Sequence, residues 1–334
     1  MNHTQYWKMI FFSSPVRLIA FSLLIFAYPV TAGATDTNNK KNLFINQIEL
    51  INSQLNHLAD NRQNINDFYF VGFSPYAEED VFMHEATYVR NLFDLQYDTL
   101  NRSILLVNNL KTLDIYPIAS LKNLESAMNR ISSIIDPEED IVVLYITSHG
   151  SQDHRILMNF DEAKRSGLNI EDIDAKTIKH LFEKNNIKWR VILILACFSG
   201  GFIDTLKNEN TIIITSANID RASFGCGHHG DFTQFGKAFF KDNLNHSKDL
   251  ISAFEHTRPQ IEALEKKLDF RPSQPQIFIG ENIRLILNRF RFRLCKYFYL
   301  RPDILLLNCA SSVEPLRAVT EDDPPVMVFM TSSK

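Results

Sequence analysis

The chain has 334 residues, 45% of them apolar, and a formal charge of -4. That is enough for one large core, without the basic excess that a nucleic-acid partner needs. Four cysteines, at positions 197, 226, 295 and 309, are too few for a disulfide framework, although export would let a close pair such as Cys295 and Cys309 oxidise.

In chain order, Lys8 and Arg17 precede an apolar stretch from Leu18 to Val30, then Thr31-Ala32-Gly33-Ala34. A charged start, a short apolar centre and small residues at the cut read as a secretory signal over residues 1–34, removed after Ala32 or Ala34. The protein is therefore expected to be exported, periplasmic or secreted. The alternative is a membrane anchor left uncleaved, for which the apolar run is short against the ~20 residues of a span. Residues 35–66 hold a helical segment, with Leu43, Ile45, Ile48, Ile51, Leu55 and Leu58 at near-helical spacing over 40–60. From residue 67 strands and helices alternate: strand 67–73, helix 80–97, strand 103–108, helix 120–135, strand 141–147, an ancillary strand 155–160, helix 174–186 and strand 190–196. Strand 211–216 follows, then helices 232–244 and 249–268, the second broken or kinked by Pro259, and a last strand 276–280. This alternation predicts an α/β fold, a doubly wound and mostly parallel central sheet flanked by helices. Residues 281–334 form a C-terminal extension. In it, Arg289 to Leu300 alternates cations with aromatics, which suits either a terminal segment covering the sheet or a membrane-surface contact through 289–300. The end beyond Pro324-Pro325 is expected to be disordered.

Two apolar, β-branched runs end in reactive side chains: Ile141-Val-Val-Leu-Tyr-Ile-Thr-Ser-His149-Gly150 and Val191-Ile-Leu-Ile-Leu-Ala-Cys197-Phe-Ser-Gly-Gly201. In a parallel sheet the ligand crevice lies at the carboxyl ends of the strands, so His149 and Cys197 can face one bound group. A thiol attacks an amide carbonyl as thiolate or with assisted deprotonation, and an imidazole can take that proton and return it to the leaving amine. Gly150 permits a sharp turn, and its N–H can pair with that of Cys197 as an oxyanion hole. Gly200 and Gly201 allow a tight loop after the nucleophile. Asp153 and His154 are candidates for orienting His149, although a solvated turn is the simpler reading. Cys226, His228, His229 and Asp231 hold metal-ligand chemistry, but such close spacing strains the geometry, and a substrate loop is the preferred reading. No metal and no organic cofactor are expected.

Ser-His149-Gly150-Ser and Ala-Cys197-Phe-Ser-Gly, followed by Thr215-Ser-Ala-Asn218-Ile-Asp-Arg221-Ala-Ser223-Phe224-Gly-Cys226 and Gly230-Asp231-Phe232, resemble the catalytic and specificity segments of the legumain-like cysteine peptidases. These belong to the caspase-like group, which includes the cysteine subunit of the GPI transamidase. The resemblance, over residues 67–280, implies a caspase-like three-layer sandwich acting on peptide or protein substrates. It implies Cys197 as nucleophile, His149 as general base and acid, and Gly150 and Cys197 as oxyanion donors. His84, Ser223 and Asp231 match substrate-pocket positions. Asparagine-cleaving members also carry an arginine beside the histidine and an acidic residue two before the nucleophile. Here the first region reads Val81-Phe82-Met83-His84-Glu85 and the second position is Leu195, so strict asparagine preference is not expected. An endopeptidase is the primary expectation. A transpeptidase or transamidase would use the same acyl-enzyme with an amine in place of water, and an inactive binding scaffold is the alternative from another class, against which the intact His and Cys stand.

Overall fold

The computed structural model describes residues 35–226, 230–247 and 249–287, with side chains described from residue 46. The expected signal at 1–34, His228 and His229, Cys295 and Cys309, the cationic and aromatic segment 289–300 and the tail lie outside the described residues.

Helix α1 (Thr35–Asn56) leads into β1 (Phe68–Ser74), α2 (Asp80–Gln96), β2 (Ser103–Val107), α3 (Leu121–Ser132) and β3 (Ile141–Thr147). Two short strands, β4 (Arg155–Ile156) and β5 (Ile173–Asp174), flank α4 (Asp161–Arg165), and α5 (Ala175–Lys184) leads to β6 (Trp189–Leu195). A 3-10 turn (Ser199–Phe202) and α6 (Ile203–Leu206) precede β7 (Thr211–Thr215). The chain continues through α7 (Gln234–Gly236), a π-helical stretch (Lys237–Leu244), α8 (Asn245–Ser247), α9 (Leu250–Lys267) and β8 (Gln276–Ile279).

The six-stranded sheet has the order β2-β1-β3-β6-β7-β8, parallel throughout except for β8, which runs antiparallel to β7. Continuous apolar strands form because both faces are covered. Alternate residues of each strand feed two cores. Tyr69, Val71, Leu144, Ile146, Ile192 and Ile194 pack with α1, α3 and α5 on one side, while Phe68, Phe70, Val143, Tyr145, Leu193 and Leu195 pack with α2 and α9 on the other. Burying each such side chain contributes about 1.5–3 kcal/mol. The result is the three-layer α/β sandwich expected from the alternation of elements.

Helix starts follow side-chain caps. Ser120 accepts from Asn123 N–H, Asp174 from Thr177 N–H, and Asp249 from Ile251 and Ser252 N–H. Two expectations differ in detail. The ancillary strand is confined to Arg155–Ile156, which pairs with Ile173–Asp174. Pro259 does not interrupt α9, which is continuous from Leu250 to Lys267. The carbonyl deprived of a donor belongs to Glu255, which like Pro259 is exposed, so water can satisfy it. On the outer edge of β2, Gln54 of α1 accepts from Leu105 N–H at 3.0 Å and donates to Leu105 C=O at 3.4 Å. Gln47 makes the same double contact with Ile118 N–H and Leu113 C=O, both at 2.7 Å.

Candidate active site

From β1 the chain moves outward to β2 and then returns past β1 to β3, so the strand order reverses between β1 and β3. The carboxyl ends at such a reversal open a crevice. Thr147 of β3 pairs with Leu195 of β6. Continued past the strand ends, that register sets His149 opposite Cys197.

Close packing holds the two segments together. A Cβ on Gly150 would run into the Cys197 carbonyl oxygen. Gly150 is not among the glycines with positive φ, so close backbone approach explains this glycine, where a sharp turn was expected. The turn after Cys197 falls on Phe198, which takes φ +57° despite its side chain, a strained conformation of the kind that clusters at functional sites. Phe198 N–H donates to Arg221 C=O at 2.7 Å, and Gly200 N–H to Ala217 C=O at 2.9 Å. Gly200 lies against the backbone of Asn218 and Ile219, and Gly201 against the His154 ring, so neither position has room for a Cβ. Gly150→Ala should therefore force the Gly150 and Cys197 backbones apart and lower any peptide turnover by on the order of a hundredfold, the loss expected where a backbone donor facing a reacting group is displaced. Steady-state kinetics beside a circular dichroism spectrum check this, and wild-type turnover in the variant would contradict it.

Cys197 is half-buried, and burial pushes its thiol above the ordinary range. The thiol donates to Ser223 C=O at 3.3 Å. Burial also pushes Cys226, three residues farther along the same loop, up to about 12. The His149 ring engages the loop after β1 and the start of α2. Its Nε2 lies 3.2 Å from Glu79 Oε1, and its ring stands edge-on to Tyr76 and Phe82, with centroids 4.6 and 5.1 Å away. His154 packs over Gly201, and Asp153 hydrogen-bonds with Ser151; the carboxylate at His149 is Glu79. Glu79 was missed from sequence. The available signal was its place just after β1, the strand that neighbours β3.

The expected pocket residues fall into two pairs. Ser223 meets Cys197 through its carbonyl, and His84 Nδ1 lies 3.3 Å from Asp231 Oδ1 at the surface. Behind His84, Glu85 is fully buried. Its Oε1 accepts from Tyr145 and Thr147 hydroxyls at 2.7 and 2.8 Å, and its Oε2 from Thr233 N–H and hydroxyl at 2.9 and 2.7 Å. With the Tyr88–Phe232 ring contact at 4.9 Å, these contacts stitch α2 to the segment that leads into α7. Among the described residues there is no cluster of three or more His, Cys, Asp or Glu side chains arranged to hold a metal.

A match to a family model, taken with the sandwich architecture, supports a cysteine peptidase or a relative of one. Residues 120–283, just under half of the chain, match the model of the Peptidase C13 family, the legumain family. The matched segment starts at the cap of α3, so β1, α2 and β2, which complete the sheet, lie upstream of it. No curated protein matches the chain. Among solved structures, a crystal structure of drICE is similar at 13% identity, covering 69% of this chain and 95% of that one, with a TM-score of 0.38. That superposition is too loose to bear on function, and the architecture rests on the sheet order itself.

Proposed function

We propose that the chain is an exported cysteine endopeptidase in which Cys197 is the nucleophile and His149 the general base and acid. The observation that carries this reading is the β3–β6 register, which levels His149 with Cys197 at the end of the sheet where the strand order reverses. Cys197 Sγ attacks the scissile carbonyl carbon while its proton passes to His149. The oxyanion is held by the Gly150 and Cys197 N–H groups, neither of which donates to another residue among those described. The C–N bond then breaks, His149 gives the proton to the leaving amine, and a thioester remains. Water, deprotonated by His149, attacks the thioester, and the acid and the free thiol are released.

The primary pocket is assigned to His84, Ser223 and Asp231. A site that selects an amide side chain must satisfy both its donor and its acceptor. Here Leu195 is buried in the core, and Asp231 is already engaged by His84. Strict selection for asparagine should be absent, with a broad P1 preference or one displaced toward cationic side chains. A P1-varied fluorogenic peptide library tests both statements. Cleavage that disappears on thiol alkylation supports the mechanism. A preference for Asn above all other residues by more than about a hundredfold, the range of a well-paired polar pocket, would overturn the pocket assignment.

A further inference from the structure

We infer that Glu265 is a positioning residue for Cys197, acting through the connection between α9 and β8, which braces the loop that follows β7. This inference rests on the peptidase reading above and deepens it. Glu265 lies in the last turn of α9 and is fully buried. Its Oε1 accepts from Ser273 N–H at 2.9 Å, and its carbonyl accepts from Phe270 N–H, also at 2.9 Å. Its Oε2 is buried and has no hydrogen-bond partner among the described residues. A carboxyl enclosed with so few donors costs stability, so packing alone does not account for it. What it holds is the shape of residues 268–275.

That connection is strained and held on its far side as well. Asp269 and Gln274 take φ +55° and +53°, and residues in this region persist where their surroundings over-determine them. The surroundings here are the loop 216–226, which carries Ser223. Ser273 C=O accepts from Asn218 N–H at 2.8 Å, and Gln274 Oε1 from Asn218 Nδ2 at 3.0 Å. Arg271 pairs with Asp220 at 3.4 Å, and the rings of Phe270 and Phe224 meet with centroids 4.7 Å apart. Gly200, three residues after Cys197, packs against both sides of this junction, the backbone of Asn218 and Ile219 and the side chain of Gln276 at the start of β8.

From Asn218 the path reaches the nucleophile segment in two steps. Arg221 N–H donates to Asn218 C=O at 3.2 Å, and Phe198 N–H donates to Arg221 C=O at 2.7 Å. Phe198 directly follows Cys197 and carries the left-handed turn. Two residues beyond Arg221, Ser223 C=O accepts from the Cys197 thiol itself at 3.3 Å. The buried carboxyl, the α9–β8 connection, the loop after β7 and the Cys197 segment thus form one chain of hydrogen bonds with Glu265 at its inner end. Attack on a carbonyl requires the thiol and the Cys197 N–H to be set together. A misplacement of about 1 Å imposed from a distance is enough to cost about a hundredfold in rate. Glu265 takes no proton and touches no reacting atom; its effect is geometric.

Full-length wild type, Glu265→Gln, Glu265→Ala and Phe270→Ala are compared by steady-state peptide hydrolysis and by amide hydrogen exchange. Glu265→Ala should lose about ten- to a hundredfold in kcat, with KM rising by a smaller factor. Glu265→Gln keeps an acceptor for Ser273 N–H and should recover most of that loss. Equal loss in both, or wild-type kcat in folded Glu265→Ala, would overturn the assignment. Should alanine at this buried position fail to fold, Phe270→Ala carries the test from the half-exposed face of the same connection. There a several-fold fall in kcat supports the brace, and an unchanged kcat refutes it. The exchange readout requires no turnover. In Glu265→Ala, or in Phe270→Ala in its place, the Asn218 and Phe198 amides should speed up by a larger factor than the Leu144 amide in the middle of β3. The same factor at all three would mean a general loss of stability and would refute a positioning role. Turnover that persists in Cys197→Ala would refute the peptidase reading separately, leaving the exchange result to stand or fall alone.

Discussion

Cys197→Ala is expected to abolish peptide cleavage while leaving the protein folded, and His149→Ala to do the same. Each loss should be about a thousandfold or more, since members of a nucleophile–base pair act as a unit and removing either removes most of what both supply. The fold should tolerate both changes. The Cys197 thiol makes a weak hydrogen bond to Ser223 C=O, and His149 is partly exposed in the crevice, so neither side chain carries a core. Cys226→Ala should retain turnover, because a thiol pushed up to about 12 by burial holds only about one part in ten thousand as thiolate at pH 8. Steady-state hydrolysis of one fluorogenic peptide by the three purified variants, each checked by circular dichroism, decides the matter. Turnover in Cys197→Ala comparable to wild type would sink the mechanism, and loss in Cys226→Ala would move the nucleophile.

The largest effect on stability is expected at Glu85. Glu85→Leu leaves four buried donors without their acceptor, namely the Tyr145, Thr147 and Thr233 hydroxyls and Thr233 N–H. Breaking such a network costs about 3–5 kcal/mol, a large part of the ~5–15 kcal/mol that holds a domain folded. Glu85→Gln keeps an acceptor and should lose far less. Gly236 has no Cβ at the point where Glu85 Oε2 passes, so nothing can move in to replace the carboxyl. Urea unfolding of the three proteins tests this, and a Leu variant within about 0.5 kcal/mol of wild type, the range of a neutral surface change, would show that the network is dispensable.

A pH dependence accompanies it. Burial raises the folded-state pKa of Glu85 despite its hydrogen bonds, so the folded protein holds this proton more tightly than the unfolded chain, whose glutamates titrate near about 4.3. Its stabilising share is full below that value and fades as pH rises through the folded pKa. Asp140, pushed up to about 6 by burial, acts in the same direction. Wild type should therefore lose stability relative to Glu85→Gln as pH increases from about 4.

How much of this was legible in sequence depends on where the determining neighbours sit. The strands were legible because burial on two faces demands runs such as Ile141–Thr147, with no polar interruption. His149 and Cys197 were legible for the converse reason: each is a reactive group standing just past such a run. Glu79 was not. In Glu78-Glu79-Asp80 it reads as first-turn helix charge, and its tie to His149 exists only because β1 and β3 are neighbours and the 157–159 segment bridges the loops beyond them. Glu85 likewise reads as one acid on an amphipathic helix, and its burial is set by Tyr145, Thr147 and Thr233, far away in sequence. At Gly150 the expected property was a turn, and the structure shows close approach to the Cys197 backbone instead.

The two glutamines of α1 give that helix a part to play before any chemistry occurs. A border strand with open amide and carbonyl groups is a template on which a second chain can grow. Gln54 and Gln47 occupy such groups at β2 and beside it with side-chain amides, which imitate a neighbouring strand but cannot be extended by another. A fragment that began at β1 would still contain every residue assigned to catalysis, yet it would expose Leu105 as a free docking rail. Helix α1 thus shields that edge against self-association of the sheet, and trimming it should be felt first in solubility.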